Sequence, residues 1–125
     1  MVAAPLAPAP LDRRELSRYA RRLQDRWPLE RALLGGACVA DHADPPAGAQ
    51  RERGPEFVLI LVSAFFDGVP WLERVTRAGA LWDAGAMGGP VDVHCYTPAE
   101  LERRRTSVKA VRDALRVGVD LLATA

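Results

Sequence analysis

Glu56-Phe57-Val58-Leu59-Ile60-Leu61-Val62-Ser63 is the stretch on which the fold turns. Six consecutive apolar residues, mostly branched, lie between Gly54-Pro55 and Asp67-Gly68. A run this short between turn-forming residues predicts a buried central strand rather than a helix. Its one charge, Glu56, stands at the strand's mouth. Glu56 marks either a solvated strand end or the edge of a site.

Working outward, Asp12 and Glu15 form a capping-box pattern at a helix start. Leu16, Ala20, Leu23 and Trp27 then recur at helical spacing, and Pro28 disfavours helical geometry just beyond. Leu29 to Leu34 reads as a strand ending in Gly35-Gly36, a pair suited to a sharp turn or to close backbone approach. Residues 37–55 carry Asp41, Asp44, Pro45, Pro46 and Pro55 and read as a long loop. Beyond the central strand, Ser63 to Pro70 is a connection. Trp71, Val75, Ala78 and Trp82 predict a second amphipathic helix over 70–83, with both tryptophans as core or interface anchors.

Gly85 to Pro90 reads as a glycine-rich loop, and Val91 to Tyr96 as a strand. Thr97-Pro98-Ala99-Glu100 joins three helix-start signals: a capping threonine, proline at the first helical position, and glutamate three residues after the cap. That predicts a helix from Pro98 to about Arg104. Ser107 is the expected cap of one more helix, with Val108, Val111 and Leu115 on its buried side and Gly118 as its stop. Val119 to Leu122 is the last candidate strand. The order of elements predicts an α/β (α+β) fold: a small mixed sheet of three or four strands flanked by about four helices.

The chain has 125 residues, 49% apolar and 26% charged, which suits one folded domain. We expect that domain over 11–125, after a disordered Ala/Pro-rich tail at 1–10 that lacks the basic start of a signal peptide. A formal charge of +1 gives no reason to expect nucleic acid or a membrane as partner. No segment approaches the roughly 20 apolar residues that span a bilayer. Cys38 and Cys95 are far apart and lack metal-ligand spacing, which suits free thiols in a reducing cytoplasm. Six arginines fall between Leu11 and Trp27, and six Lys or Arg between Glu100 and Arg116. They form either solvated helix faces or a basic rim for a phosphate-bearing partner.

Side chains two apart share a strand face. Glu56 and Val58 therefore share one face of the central strand, and Asp92 and His94 share one face of the later strand. If the two strands are neighbours, Glu56 and Asp92 converge, and converging carboxylates suit a divalent cation such as magnesium.

These stretches, in this order, resemble the minimal nucleotidyltransferase family of the polymerase-beta-like superfamily. Leu33-Leu34-Gly35-Gly36 stands where the family has a strand ending in Gly-Ser. Pro55 to Ser63 stands where it has Ser-Asp-x-Asp and an apolar strand. Trp71 to Trp82 resembles its next helix. Val91-Asp92-Val93-His94-Cys95-Tyr96-Thr97-Pro98-Ala99-Glu100-Leu101 resembles its third-carboxylate strand and a Tyr-Thr-Pro-x-Glu continuation. Val111 to Leu121 resembles its last helix. The resemblance spans residues 11–122 and is most specific in the second half.

The resemblance implies a nucleoside triphosphate gripped at Gly35-Gly36. It also implies a pair of magnesium ions on three carboxylates, clamping an in-line displacement. Asp92 matches the third carboxylate. Glu56 stands in place of the first aspartate and Val58 in place of the second, and Gly36 replaces the serine. Valine cannot ligate a metal, and the longer glutamate alters an octahedral shell. We therefore expect a degenerate module that binds a nucleotide or a partner protein, or that forms a homodimer. The alternative is an active magnesium-dependent enzyme moving a nucleoside monophosphate to a hydroxyl acceptor, with Glu56 and Asp92 as catalytic metal ligands and Asp41 or Asp44 as a substitute donor.

Overall fold

The computed structural model describes residues 13–40 and 56–122. The expected tail at 1–10, the Asp12 cap, and Asp41 and Asp44 lie outside the described residues.

Strand β2, Phe57–Val62, is buried at all six positions. Strand β1, Arg31–Gly35, flanks it antiparallel, and β3, Val91–Tyr96, flanks it parallel. A two-residue strand β4, Val119–Asp120, pairs antiparallel with β1, so the order is β3-β2-β1-β4. A strand paired on both edges and covered on both faces leaves no position for a polar side chain, which is why β2 reads as one apolar run. The mixed α/β architecture and the central place of 56–63 match the sequence expectation.

Alternation along β2 divides the core in two. Phe57, Leu59 and Leu61 face one cluster, with Leu16, Tyr19, Leu23, Trp27, Ala78 and Trp82. Val58, Ile60 and Val62 face the other, with Leu33, Tyr96, Leu101, Val111 and Ala114. Helices α1 (Arg13–Arg26) and α3 (Trp71–Ala80) supply the first cluster. Helices α5 (Pro98–Arg104) and α6 (Lys109–Val117) supply the second. Tyr19 joins α1 to α3 by donating its hydroxyl to the Ala78 carbonyl at 2.8 Å and by meeting Trp82 edge-on.

Several local expectations are corrected. The strand expected at 29–34 is Arg31–Gly35. Gly35 continues the strand because α6 packs against it: a Cβ there would lie 3.3 Å from the Ala114 Cβ. The expected loop at 37–55 begins with a four-residue helix α2, Ala37–Ala40, entered through Gly36 at φ +96° and tied back by Cys38 N–H donating to the Glu56 carbonyl at 2.9 Å. A four-residue helix α4, Ala84–Met87, runs into the glycine-rich 85–90 segment. Asp83 caps it by accepting from Ala86 N–H at 3.0 Å, and Gly88 ends it at φ +89°. The connection after β2 contains a 3-10 turn at Ala64–Phe66.

Helix α3 is shorter than 70–83 and its inward face differs from the expected one. Trp71 is 45% exposed while Arg74 is buried. The reason lies in three acceptors around the guanidinium: the Val69 carbonyl at 2.8 Å, the Cys95 carbonyl at 3.2 Å and the Glu100 carboxylate at 2.7 Å. A buried arginine so satisfied costs little, whereas an unpaired one would be expelled. Helix α5 spans the expected residues. Thr97 accepts from Glu100 N–H and Glu100 accepts from Thr97 N–H, completing the box. Helix α6 starts after Val108 rather than Ser107. Gly118 stops it as expected, although by close packing: a Cβ there would lie 2.3 Å from the Ala114 carbonyl oxygen.

Candidate functional site

Strand register places the sequence-derived residues relative to one another. Gly35 is the partner of Val58 across β1 and β2, and Val58 is the partner of Asp92 across β2 and β3. Gly35, Val58 and Asp92 thus form one row across three strands, with steps of about 4.8 Å. Glu56 precedes β2 in a half-buried bend, two residues before Val58.

That row is mostly covered. Val58 is 5% exposed and packs in the cluster with Ile60, Leu33 and Ala114. Helix α6 stands over Gly35. Only Asp92, on the outer strand, is open, with its side chain 51% exposed. Gly36 makes the turn out of β1, and its carbonyl accepts from Val39 N–H at 3.1 Å. Two clefts, of about 390 and 480 Å³, open elsewhere. One lies between Arg31, Leu101 and Leu115, the other between Arg18, Arg22 and Asp83, and neither is lined by Gly35, Val58 or Asp92.

A pair of divalent cations needs several hard oxygen donors converging on one point. The central position of the row is a buried valine. Among the described residues no three His, Cys, Asp or Glu side chains are grouped to hold a metal ion. Among the described residues the donor set does not fit a magnesium pair. Asp67 does not repair it, since it follows the opposite end of β2.

Asp92 belongs instead to a cluster along the outward half of β3. Its Oδ2 lies 3.2 Å from His94 Nε2, and His94 Nδ1 lies 3.1 Å from the Tyr96 hydroxyl. A carboxylate only accepts, so Nε2 carries the proton in the neutral ring and Nδ1 accepts from Tyr96. With both nitrogens engaged, His94 bridges Asp92 and Tyr96. Trp71 reaches this cluster from α3, with ring centroids 5.4 Å from Tyr96 and 6.4 Å from His94. Burial raises the Tyr96 pKa, the Arg104 charge opposes this, and Asp92 adds to it.

Behind the cluster, Arg74 and Glu100 lock α3, β3 and α5 together. Burial alone would raise the Glu100 pKa. The hydrogen bonds from Arg74 and Thr97 outweigh it and hold the carboxyl below its ordinary value. Thr97 and Glu100 of the Tyr-Thr-Pro-x-Glu segment therefore have a structural duty.

Asp92 and His94 share a face, as strand alternation requires. The sequence reading does not place Tyr96 and Trp71 in this cluster. Tyr96 has the same parity as Asp92 and His94, so spacing alone could have found it. Trp71 comes from another element, and nothing local signals it.

No protein-family model matches the chain, and no curated sequence matches it. Among solved structures it is similar to the crystal structure of "a putative nucleotidyltransferase" from Sulfolobus solfataricus, with a TM-score of 0.52 and 13% identity. The match covers 86% of this chain and 77% of that one. The fold is a small nucleotidyltransferase-like fold.

Proposed function

We propose that the chain is a nucleotidyltransferase-fold module that binds a nucleotide and does not carry out two-metal nucleotidyl transfer. The observation that supports this is the row Gly35–Val58–Asp92, whose central position is apolar and buried. Asp92 keeps a carboxylate beside solvent on the matching strand, and Gly36 keeps a turn at the end of β1 nearest the row. A valine at the middle position supplies no oxygen for a metal clamped between attacking and leaving oxygens.

The test is a pair of measurements on the full chain. Labelled nucleoside triphosphates are incubated with the protein, magnesium and hydroxyl-bearing acceptors, and transfer is sought. In parallel, calorimetric titrations with nucleotides are run with magnesium and with a chelator. The expected outcome is no transfer, with binding that does not depend on magnesium. Transfer that disappears in Asp92→Ala would overturn the proposal in favour of an active enzyme using Glu56 and Asp92.

A further inference from the structure

We propose that Trp71, Asp92, His94, Tyr96 and Arg104 form a platform on the outer edge of β3 that binds a nucleobase and its phosphate by stacking, without metal. The inference rests on the nucleotide-module reading and relocates its ligand from the covered glycine row to the sheet edge.

Trp71 is one of few large apolar residues left exposed among the described residues, whereas Trp27 and Trp82 are buried. Its indole is fixed from behind. Tyr96 meets it at 47° and His94 meets it edge-on, and these two rings are themselves 6.1 Å apart. Tyr96 is 5% exposed and anchored in the second core cluster, so the platform is rigid. A rigid indole with an open face is a stacking surface for planar rings, and stacking tolerates any base because each has a π-face.

Polar groups border the platform. Asp92 Oδ2 is held by His94, which leaves Oδ1 as an acceptor for the N–H edge of a ring. Arg104, the exposed last residue of α5, carries a charge that favours the ionised form of the Tyr96 hydroxyl. Some neighbouring cations are occupied, Arg105 with Glu102 and Lys109 and Arg116 with Asp113, whereas Arg103 and Arg112, like Arg104, make no ion pair among the described residues. Arg104 has no ion-pair partner among the described residues, which leaves its guanidinium for a phosphate. A stacking face, a carboxylate acceptor and a free cation are the complement of a nucleoside monophosphate. An arginine side chain from a protein partner would also stack and pair with Asp92, but Arg104 repels it.

The probes are AMP, adenosine and ribose 5-phosphate, each with chelator present. With the other tryptophans buried, a ring stacked on Trp71 quenches the accessible part of the emission. We expect saturable quenching by AMP, weaker binding of adenosine, and none of ribose 5-phosphate. Trp71→Leu should lower AMP affinity about tenfold or more by calorimetry, the size of one base-on-indole contact, and Trp71→Phe should restore part of it. Arg104→Ala should weaken AMP and leave adenosine unchanged. AMP binding that Trp71→Leu leaves intact would overturn the platform and spare the nucleotide-module reading. Equal binding of ribose 5-phosphate and AMP would do the same. Failure of every nucleotide to bind would overturn both.

Discussion

Replacing Val58 by aspartate restores the chemical group that the resemblance places at this position, and the structure predicts that it will damage the protein rather than activate it. Val58 is 5% exposed and packs against Leu33, Ile60 and Ala114. Removing its buried methyls forfeits about 1.5–3 kcal/mol. Leaving an unpaired carboxylate in their place adds a penalty of about 3–5 kcal/mol. Against a typical stability of about 5–15 kcal/mol, that is most of the margin. The melting temperature should fall by roughly 15 °C or more.

The sign with pH is also set. Burial raises the folded-state pKa of the new carboxyl above its unfolded value of about 3.9. The penalty is therefore full above the folded pKa, and the gap to the parent narrows as pH falls toward about 4. Circular-dichroism melts of Val58→Asp and the parent, at neutral and acid pH, with and without magnesium, measure all of this. A variant that melts within a few degrees of the parent and gains stability from magnesium would refute the reasoning, because Val58 would then face an open metal site.

Arg74→Met should destabilise by about 1–3 kcal/mol, since the Val69 and Cys95 carbonyls lose their donor and Glu100, still held by Thr97 N–H, loses its charged partner. Glu100 is held below its ordinary pKa, so its contribution is present above the unfolded value and lost as pH falls through the folded one. Melting temperature plotted against pH should lose that acid-side component in the variant. Gly118→Ala drives a Cβ to 2.3 Å from the Ala114 carbonyl oxygen and should cost about 3 kcal/mol or more, while Gly35→Ala, at 3.3 Å from a side-chain methyl, should cost about 1–2 kcal/mol. Urea titrations of the two variants should rank them in that order. Burial pushes the Cys95 thiol up to about 12, with Arg74 partly opposing it. The native protein should therefore resist iodoacetamide at Cys95 until it is unfolded. This thiol's contribution to stability, present below the unfolded pKa of about 8.5, should decline as pH rises toward the folded one.

Elements whose signals are local could be read from the sequence alone. Strand β2 is bracketed by turn residues and uniformly apolar, β3 was placed to the residue, and α5 carries its whole start signal in Thr97-Pro98-Ala99-Glu100. Helices α2 and α4 were hidden because a single turn shows no periodicity, and the glycines of 85–90 suggested only a loop. The face of α3 is not legible for a different reason. Helical spacing shows that a stripe exists, but an arginine can occupy the inward position only because Cys95 and Glu100, from other elements, supply acceptors. The same limit applies to the site. Parity along β3 put Asp92 and His94 together, but the covering of Val58 and Gly35 by α6 and the approach of Trp71 are products of packing between distant segments.

The Arg74 guanidinium bears on how the molecule behaves at high concentration. Strand β3 is a sheet edge, and backbone carbonyls alternate in direction along it. The Tyr96 carbonyl points inward to accept from Ser63 N–H, so the Cys95 carbonyl points away from β2, where a foreign strand would attach. Arg74 already occupies that carbonyl. With the outer hydrogen-bonding ladder plugged by a charged side chain, edge-to-edge growth between molecules is blocked at this point. The arginine that braces the fold also guards it against self-association along this edge of the sheet.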